Sequence, residues 1–214
     1  MKEDSVGSKE YFGRVAAKWD ELRQCFFSES LREKAIEAAN VKPGMMAVDV
    51  GAGTGFITEG LVNRGAKVIA VDQSDAMLSQ IKKKFGSAGA VDLRRGEAEN
   101  LPVDDRVADC VFANMFLHHV ENPSVAIVEM GRLLKKGGVL IITDLDEHDF
   151  NFLRKEHHDR WLGFKREDIR RWLEQAGLKW IRVACANENC CSQSPSCSEK
   201  AQISIFIAIG RKST

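Results

Sequence analysis

The sequence lacks an excess of charge of either sign and a long apolar run, and we expect no secretory leader. Its 31 basic and 31 acidic side chains cancel, so it does not show the basic excess that is usual in nucleic-acid-binding proteins. No run approaches the roughly 18–20 apolar residues that span a bilayer. The polar start of the chain has no apolar core of a secretory signal. We therefore expect a cytoplasmic protein with no nucleic-acid and no membrane partner, and the sequence leaves open whether it forms a homodimer.

Disulfide bonds are not expected either, because thiols stay reduced in the cytoplasm. Four of the six cysteines nevertheless lie close together, at Cys185, Cys190, Cys191 and Cys197. Their surroundings are rich in Ser, Asn and Pro, which predicts a hairpin loop over residues 185–200 between the last two strands. We predict that this loop binds a metal or a thiophilic metalloid substrate. A structural zinc site, a redox thiol pair and a loop with incidental thiols are the alternatives, and the spacing is not a standard zinc pattern.

The order of the elements predicts the fold class. The 214 residues suffice for one α/β domain, residues 1–214. Apolar segments at about 45–50, 67–71, 90–94, 108–113 and 139–143 read as strands separated by helices. This alternation predicts a mostly parallel sheet with helices on both faces. Strands near 180–186 and 201–210 have no helix between them, so they should form an antiparallel hairpin and supply one antiparallel strand to a seven-stranded sheet.

A glycine turn follows the first predicted strand, with Gly51 as its first glycine. Asp72 follows the second strand, 21 residues after Gly51, where a carboxylate can accept hydrogen bonds from a ribose. A surface acid in front of a helix is the alternative for Asp72. Phe56 replaces the last glycine of the nicotinamide-dinucleotide motif. Asp49 would repel a pyrophosphate but attract a sulfonium and an ammonium group. These features favour S-adenosylmethionine (SAM) over NAD.

Five segments in this order carry a wider resemblance: VDVGAGTG, VDQSDAML, GEAENLP, DCVFANMFLHHVENP and LLKKGGVLIITD. With them the chain resembles class I SAM-dependent methyltransferases across about residues 10–180. It is most similar to the group that includes the ubiquinone and menaquinone biosynthesis methyltransferases and the arsenite methyltransferases. The resemblance implies a Rossmann-like fold, SAM as cofactor and a small-molecule acceptor.

The resemblance also implies a set of cofactor-binding residues. The N-terminal helices, residues 1–40, would form a lid over the site, with core packing as the alternative role of its aromatic residues. Glu97 stands where the family often has Asp. The implied residues are Trp19, Asp49, Gly51, Ala52, Gly53, Asp72, Gln73, Met77, Glu97, Ala98, Asn114 and Met115.

Candidate catalytic residues follow from the need to deprotonate some acceptors. We predict His119, Asp144 and His148 in this role, after weighing His118 and Asp146 at the same predicted sheet edge. A structural role is the alternative for His119 and Asp144, and a metal site is a further alternative for the residues from Asp144 to His148.

The predicted function is methyl transfer from SAM to a small acceptor, which we expect to be a thiophilic metalloid, a heavy element or a thiol. A methyltransferase of quinones or other metabolites, acting on carbon or oxygen, is one alternative. A SAM- or metal-responsive binding module without turnover is another, and Phe56 with Asp49 disfavours a nicotinamide oxidoreductase.

Overall fold

The computed structural model describes residues 10–86, 89, 91–194 and 198–213. The strands of this part are β1 (Met46–Val50), β2 (Lys67–Asp72), β3 (Val91–Arg95), β4 (Ala108–Asn114), β5 (Leu134–Leu145), β6 (Leu178–Gln193) and β7 (Lys200–Lys212). The helices are α1 (helical over residues 10–15), α2 (Trp19–Arg23), α3 (Glu29–Ala39), α4 (Phe56–Asn63), α5 (Asp75–Phe85), α6 (Pro123–Leu133), α7 (Phe152–Glu156) and α8 (Arg166–Gln175). Among these residues no helix has the length and apolarity needed to cross a bilayer.

The strands form one sheet in the order β3-β2-β1-β4-β5-β7-β6. Strands β1 to β5 pair in parallel, whereas β7 runs antiparallel to both β5 and β6. The order reverses at β1, because β2 and β4 lie on its two sides. The predicted fold is confirmed: the described strands form a mostly parallel sheet of seven with one antiparallel strand. The carboxyl ends of β1, β2 and β4 therefore meet at one edge, beside the switch in strand order.

Local sequence explains where the helices around this edge begin. Ser74 caps α5, because its hydroxyl oxygen accepts a hydrogen bond from the Met77 N–H at 3.4 Å. Pro123 opens α6 at a position where a missing N–H costs no helical hydrogen bond. Most residues of β4 and β5 are buried, as expected for strands covered on both faces.

Apolar side chains cover both faces of the sheet. On one face, α6 and α8 bury Ile127, Met130 and Leu173 against the strands. On the other face, α3 and α4 bury Leu31 and Leu61. Each fully buried aliphatic side chain contributes about 1.5–3 kcal/mol to stability, so the two layers hold the strand ends in place.

The predicted loop over residues 185–200 is wrong for most of its length. Strand β6 continues to Gln193, and its pairs with β7 include Cys190 with Ile203 and Cys191 with Gln202. A register shift between Cys185 and Asn189 interrupts the ladder before it resumes. Polar composition suggested a loop here, but pairing with the apolar β7 decided the structure.

The N-terminal helices rest on this long β6–β7 ribbon. The Lys34 ammonium of α3 forms an ion pair with Glu188 at 2.6 Å and donates to the Ala186 carbonyl oxygen at 2.9 Å. The Cys191 N–H donates to the carbonyl oxygen of Phe26 at 3.2 Å. Residues from the two ends of the described chain therefore meet beside the carboxyl edge of the sheet.

Candidate active site

The glycine turn leaves β1 with a conformation that requires glycine. Gly51 has a φ of +68°, and a Cβ atom there would lie 2.2 Å from the ring of Phe116. The backbone N–H groups of Gly51 and Ala52 donate to the Val71 carbonyl oxygen at 2.9 and 3.1 Å. Gly55, at φ +91°, then starts α4. The turn thus holds a bare stretch of backbone open at the sheet edge, which another molecule can approach closely.

The buried carboxylate of Asp49 and the half-buried carboxylate of Asp72 flank this turn. Asp72 accepts hydrogen bonds from the backbone N–H groups of Gly53 at 2.9 Å and Ser74 at 2.8 Å. Asp49 accepts from the hydroxyl and the N–H of Thr58 through one oxygen, at 2.6 and 3.0 Å. Burial raises the pKa of Asp49 to about 6, helped by the charge of Asp72 and opposed by the bonds from Thr58. Burial also raises the pKa of Asp72. The region therefore favours a cation.

Two adjoining cavities open at this edge. The first cavity, of about 390 Å³, is lined by Asp72, Glu97 and Ala98 among others. The second cavity, of about 80 Å³, lies against the glycine turn and under Trp19. All twelve predicted cofactor residues line one or both of them: Trp19, Asp49, Gly51, Ala52, Gly53, Asp72, Gln73, Met77, Glu97, Ala98, Asn114 and Met115. The structure therefore brings the whole predicted set together.

A third cavity, of about 50 Å³, lies between the N-terminal helices and the end of β6. Its walls include Tyr11, Phe12 and Met115, together with Cys190. The ring of Phe12 packs edge-on against His119, with 4.9 Å between the ring centres. Among the described residues, His119 is the only one that lines all three cavities. His119 is thus the shared wall between the cofactor cavities and the third cavity.

A buried cluster of His118, His119 and Asp159 stands at this wall. His118 Nδ1 lies 2.6 Å from Oδ1 of Asp144, which also accepts a hydrogen bond from the Leu117 N–H through its other oxygen. Burial opposes the charged form of His118, but Asp144 and Asp159 outweigh it and raise the pKa of His118 to about 9. Burial and the neighbouring His118 hold the pKa of His119 well below its usual value. Burial raises the pKa of Asp159 to about 6.

Comparisons with known proteins agree with this geometry. The sequence pattern of the methyltransferase domain family matches residues 48–142. Ubiquinone biosynthesis O-methyltransferase of Dechloromonas aromatica is 30% identical over 190 residues, which are 78% of this chain and 81% of that protein. The chain belongs to the class I SAM-dependent methyltransferases. The cofactor of this family is SAM, as the sequence predicts.

Other relatives share a smaller part of their length with this methyltransferase. The ubiquinone/menaquinone biosynthesis C-methyltransferase UbiE of Cronobacter sakazakii is 30% identical over 73% of this chain and 65% of its own length. Across five such relatives the chain covers 38% to 65% of the relative. The fold matches that of phosphoethanolamine N-methyltransferase 2 of Haemonchus contortus in complex with SAM, with a TM-score of 0.71 and 15% identity, over 86% of this chain and 52% of the other.

The second cavity of the methyltransferase contains a residue that the sequence analysis missed. Arg23 lines it with a side chain that is 7% exposed. Its Nη2 pairs with Glu29 at 2.9 Å, and its guanidinium lies 3.9 Å from the ring centre of Phe56. Among the described residues, Nε and Nη1 have no hydrogen-bond partner. Buried hydrogen-bond donors are rarely left without a partner, so the Nε and Nη1 donors of Arg23 fit an anionic group of a ligand. Arg23 follows Trp19 by one helical turn, which is the signal that could have revealed it.

The residues fit SAM as a whole. The carboxylate of SAM suits the unpartnered donors of Arg23. The ammonium and sulfonium groups of SAM suit the carboxylate of Asp49, and the ribose hydroxyls suit Asp72. The donor set of the cavities thus agrees with a zwitterionic sulfonium ligand and not with a pyrophosphate.

Several predicted catalytic and metal residues lie apart from this centre. His148 lines none of the three cavities, and its Nδ1 accepts from the Phe150 N–H at 3.3 Å. Asp146 forms a two-bond ion pair with Arg166, at 2.6 and 2.7 Å. Asp144 instead faces His118. The alternative metal site from Asp144 to His148 is therefore not assembled.

The described cysteines do not converge either. Cys190 is buried in the third cavity, whereas Cys191, its neighbour along β6, is exposed on the opposite face of the strand. Cys185 is also exposed. Cys197 lies outside the described residues. Within the described part of the chain, these thiols belong to no group of three metal-ligating side chains.

Proposed function

We propose that this methyltransferase moves a methyl group from SAM to a small acceptor bound in the third cavity. The observation that carries the proposal is the position of His119, which borders both cofactor cavities and the third cavity. An acceptor atom beside His119 would therefore lie next to the end of the cofactor cavities. When bound, SAM supplies a methyl group that is already activated on a sulfonium sulfur, so the protein needs mainly to orient the two reactants and exclude water.

Each cofactor residue then has a distinct role. Arg23 binds the carboxylate through its free Nε and Nη1 donors, and Asp49 attracts the ammonium and sulfonium charges. Asp72 keeps its backbone hydrogen bonds while its remaining lone pairs accept from ribose hydroxyls. Glu97 and Ala98 lie along the first cavity, where the adenine binds.

The walls of the third cavity favour an aromatic acceptor. Phe12, Phe26 and Tyr11 offer ring faces and edges, and His157 with Ser192 adds polar atoms. The names of the quinone and hydroquinone methyltransferases among the relatives support a hydroxylated, quinol-type ring. A metalloid or heavy-element acceptor lacks support, because the cavity holds one described cysteine and burial raises the pKa of Cys190 to about 12, which keeps its thiol protonated.

The size of the third cavity implies that the N-terminal helices move. Its 50 Å³ is about a third of the roughly 150 Å³ that holds benzene in an engineered protein cavity. A ring can enter only if Tyr11, Phe12 and Trp19 shift outward. The N-terminal helices would thus act as a lid that admits the acceptor and then excludes water.

We assign His119 to contact with the acceptor and Asp144 to positioning, through its 2.6 Å hydrogen bond with His118. His148 receives no role, because it lies outside the cavities. It therefore supplies a matched control for substitutions of His119.

The test combines calorimetry with transfer of labelled methyl groups to a panel of hydroxylated aromatic compounds. We expect S-adenosylhomocysteine to bind, and one class in the panel to accept the label. In H119A we expect kcat/KM to fall about 100-fold while the Kd of S-adenosylhomocysteine changes less than about threefold, with H148Q behaving as wild type. Binding without transfer to any compound would favour a binding module, and the absence of binding would refute the proposal.

A further inference from the structure

We infer that His118, His119 and Asp159 form a binding site for a divalent transition-metal ion at the wall of the third cavity. The inference rests on the proposed function, since it concerns the cavity that we assign to the acceptor. Each residue offers one ligand atom, and these atoms all lie within 4.8 Å of one another. All three side chains line the third cavity.

Donor distances support the site. His118 Nε2 and His119 Nδ1 each lie 3.9 Å from Asp159 Oδ1. In a tetrahedral site, metal–nitrogen and metal–oxygen bonds of about 2.0–2.2 Å place two ligand atoms about 3.3–3.6 Å apart. Shifts of less than 1 Å, by rough estimate from these bond lengths, would therefore close the three donors around one ion. The contact of His119 Nδ1 with the His158 carbonyl oxygen, at 3.4 Å, is long for a hydrogen bond and would be exchanged for the metal.

The surroundings of His118 have the form of a metal-bound histidine. Metal-ligating imidazoles usually donate their other N–H to a carboxylate, which fixes the tautomer and the ring orientation. His118 does this through Nδ1, at 2.6 Å from Asp144. Asp144 is itself held by the backbone N–H groups of Leu117 and Leu145, at 2.8 and 2.7 Å. Nε2 of His118 is thereby left to face Asp159.

Within the part of the chain that the structure describes, Asp159 lacks the close partners that a buried carboxylate normally has. It is 6% exposed, and among the described residues the two imidazoles at 3.9 Å are the only basic groups within 4.0 Å of it. Buried carboxylates are usually paired closely or bound to a metal. Its loop is fixed to the cluster, because the N–H groups of Arg160 and Trp161 donate to the His118 carbonyl oxygen at 3.0 and 3.1 Å.

The donor set indicates the class of metal and of ligand. Two imidazoles and one carboxylate suit zinc or ferrous iron better than magnesium, which prefers oxygen ligands. Three protein ligands leave coordination positions free, and here these positions would face the third cavity. A metal there would bind an oxygen atom of a hydroxylated acceptor and favour its ionised form. The ion would thereby hold the nucleophile in place beside the cofactor cavities.

Zinc titration of chelator-treated protein by calorimetry tests the site, with cobalt absorption spectra as a second readout. We expect one zinc ion per chain. We expect D159N to weaken zinc binding by about 100-fold or more, D144N by about 10–100-fold, and H148Q to leave it unchanged. Binding of S-adenosylhomocysteine to each variant shows that the fold is retained.

Three results would overturn the inference: no saturable zinc binding, equal affinity in D159N and wild type, or a thiolate-to-cobalt absorption band that assigns the metal to cysteine. Its failure is distinguishable from failure of the proposed function. Zinc binding is measured without SAM, and loss of S-adenosylhomocysteine binding in wild type would count against the methyltransferase proposal alone.

Discussion

Substitution of Arg23 by glutamine should weaken binding of S-adenosylhomocysteine and spare binding of 5′-methylthioadenosine. The second ligand keeps the adenosine and the sulfur but lacks the amino-acid carboxylate. Arg23 lines the second cavity with two donors that have no partner among the described residues. If these donors meet the carboxylate, only the ligand that carries it should respond to R23Q.

The structure sets the size of this effect. A hydrogen bond to a charged group contributes about 1.5–3 kcal/mol. In the wild type Nη2 pairs with Glu29, so only Nε and Nη1 are free to form one two-bond contact with the carboxylate. We expect R23Q to lose about 2–3 kcal/mol of binding free energy, which corresponds to a Kd about 30–150-fold higher. The Kd of 5′-methylthioadenosine should change less than about threefold. R23Q should also lower the melting temperature slightly, because the cation–π contact with Phe56 contributes about 1–2 kcal/mol.

Arg32 provides the matched control for this experiment. It is also a mostly buried arginine beside Phe56, with its guanidinium 5.1 Å from the ring centre, but it pairs with Glu33 and Glu59 and lines none of the three cavities. R32Q should therefore bind both ligands like wild type. Equal losses for the two ligands in R23Q would refute the carboxylate assignment, since they would point to a displaced helix. Unchanged binding of S-adenosylhomocysteine would refute it too.

Two further predictions concern the turn. The pKa of Asp49 is raised to about 6, so the folded protein binds the proton more tightly than the unfolded chain and gains stability as the pH falls through 6. Binding of SAM needs the ionised carboxylate of Asp49. The Kd of SAM should therefore rise up to about tenfold between pH 7.5 and pH 5, where about a tenth of such a group is ionised. Calorimetry should show no such pH dependence in D49N, and an equal dependence there would contradict the assignment. G51A places a Cβ atom 2.2 Å from the Phe116 ring at a φ of +68°. We expect chemical denaturation to show a loss of about 1–3 kcal/mol in the free energy of unfolding, with a matching loss of cofactor affinity. A stable variant with normal affinity would show that Phe116 moves freely.

The sequence could bring most of the predicted cofactor residues to one edge of the sheet because their positions depend on topology. Asp72 and Asn114 are the last residues of β2 and β4, and Glu97 follows β3, so all three lie at the same edge of the sheet. No side-chain packing is needed for that inference. The glycine spacing and the negative charge of Asp49 then favoured SAM over NAD.

Residues whose role depends on packing could not be placed in this way. Which of the adjacent His118 and His119 faces Asp144 depends on a short 3₁₀ turn over Leu117–His119. Asp159 comes from a loop whose path the sequence pattern does not determine. Strand β6 extends through Cys190 because β7 pairs with it, although its own composition favours a loop. These are tertiary choices, which local propensity does not predict.

The contact between the N-terminal helices and the β6–β7 ribbon has a consequence for the order in which the site forms during synthesis. Strands β1 to β4 and the glycine turn emerge from the ribosome early and already contain most of the residues predicted to bind the cofactor. The third cavity needs both Tyr11 and Ser192, so it cannot exist until the ribbon has been made and Lys34 has met Glu188. A nascent chain that stops before β6 would therefore lack an enclosed place for an acceptor.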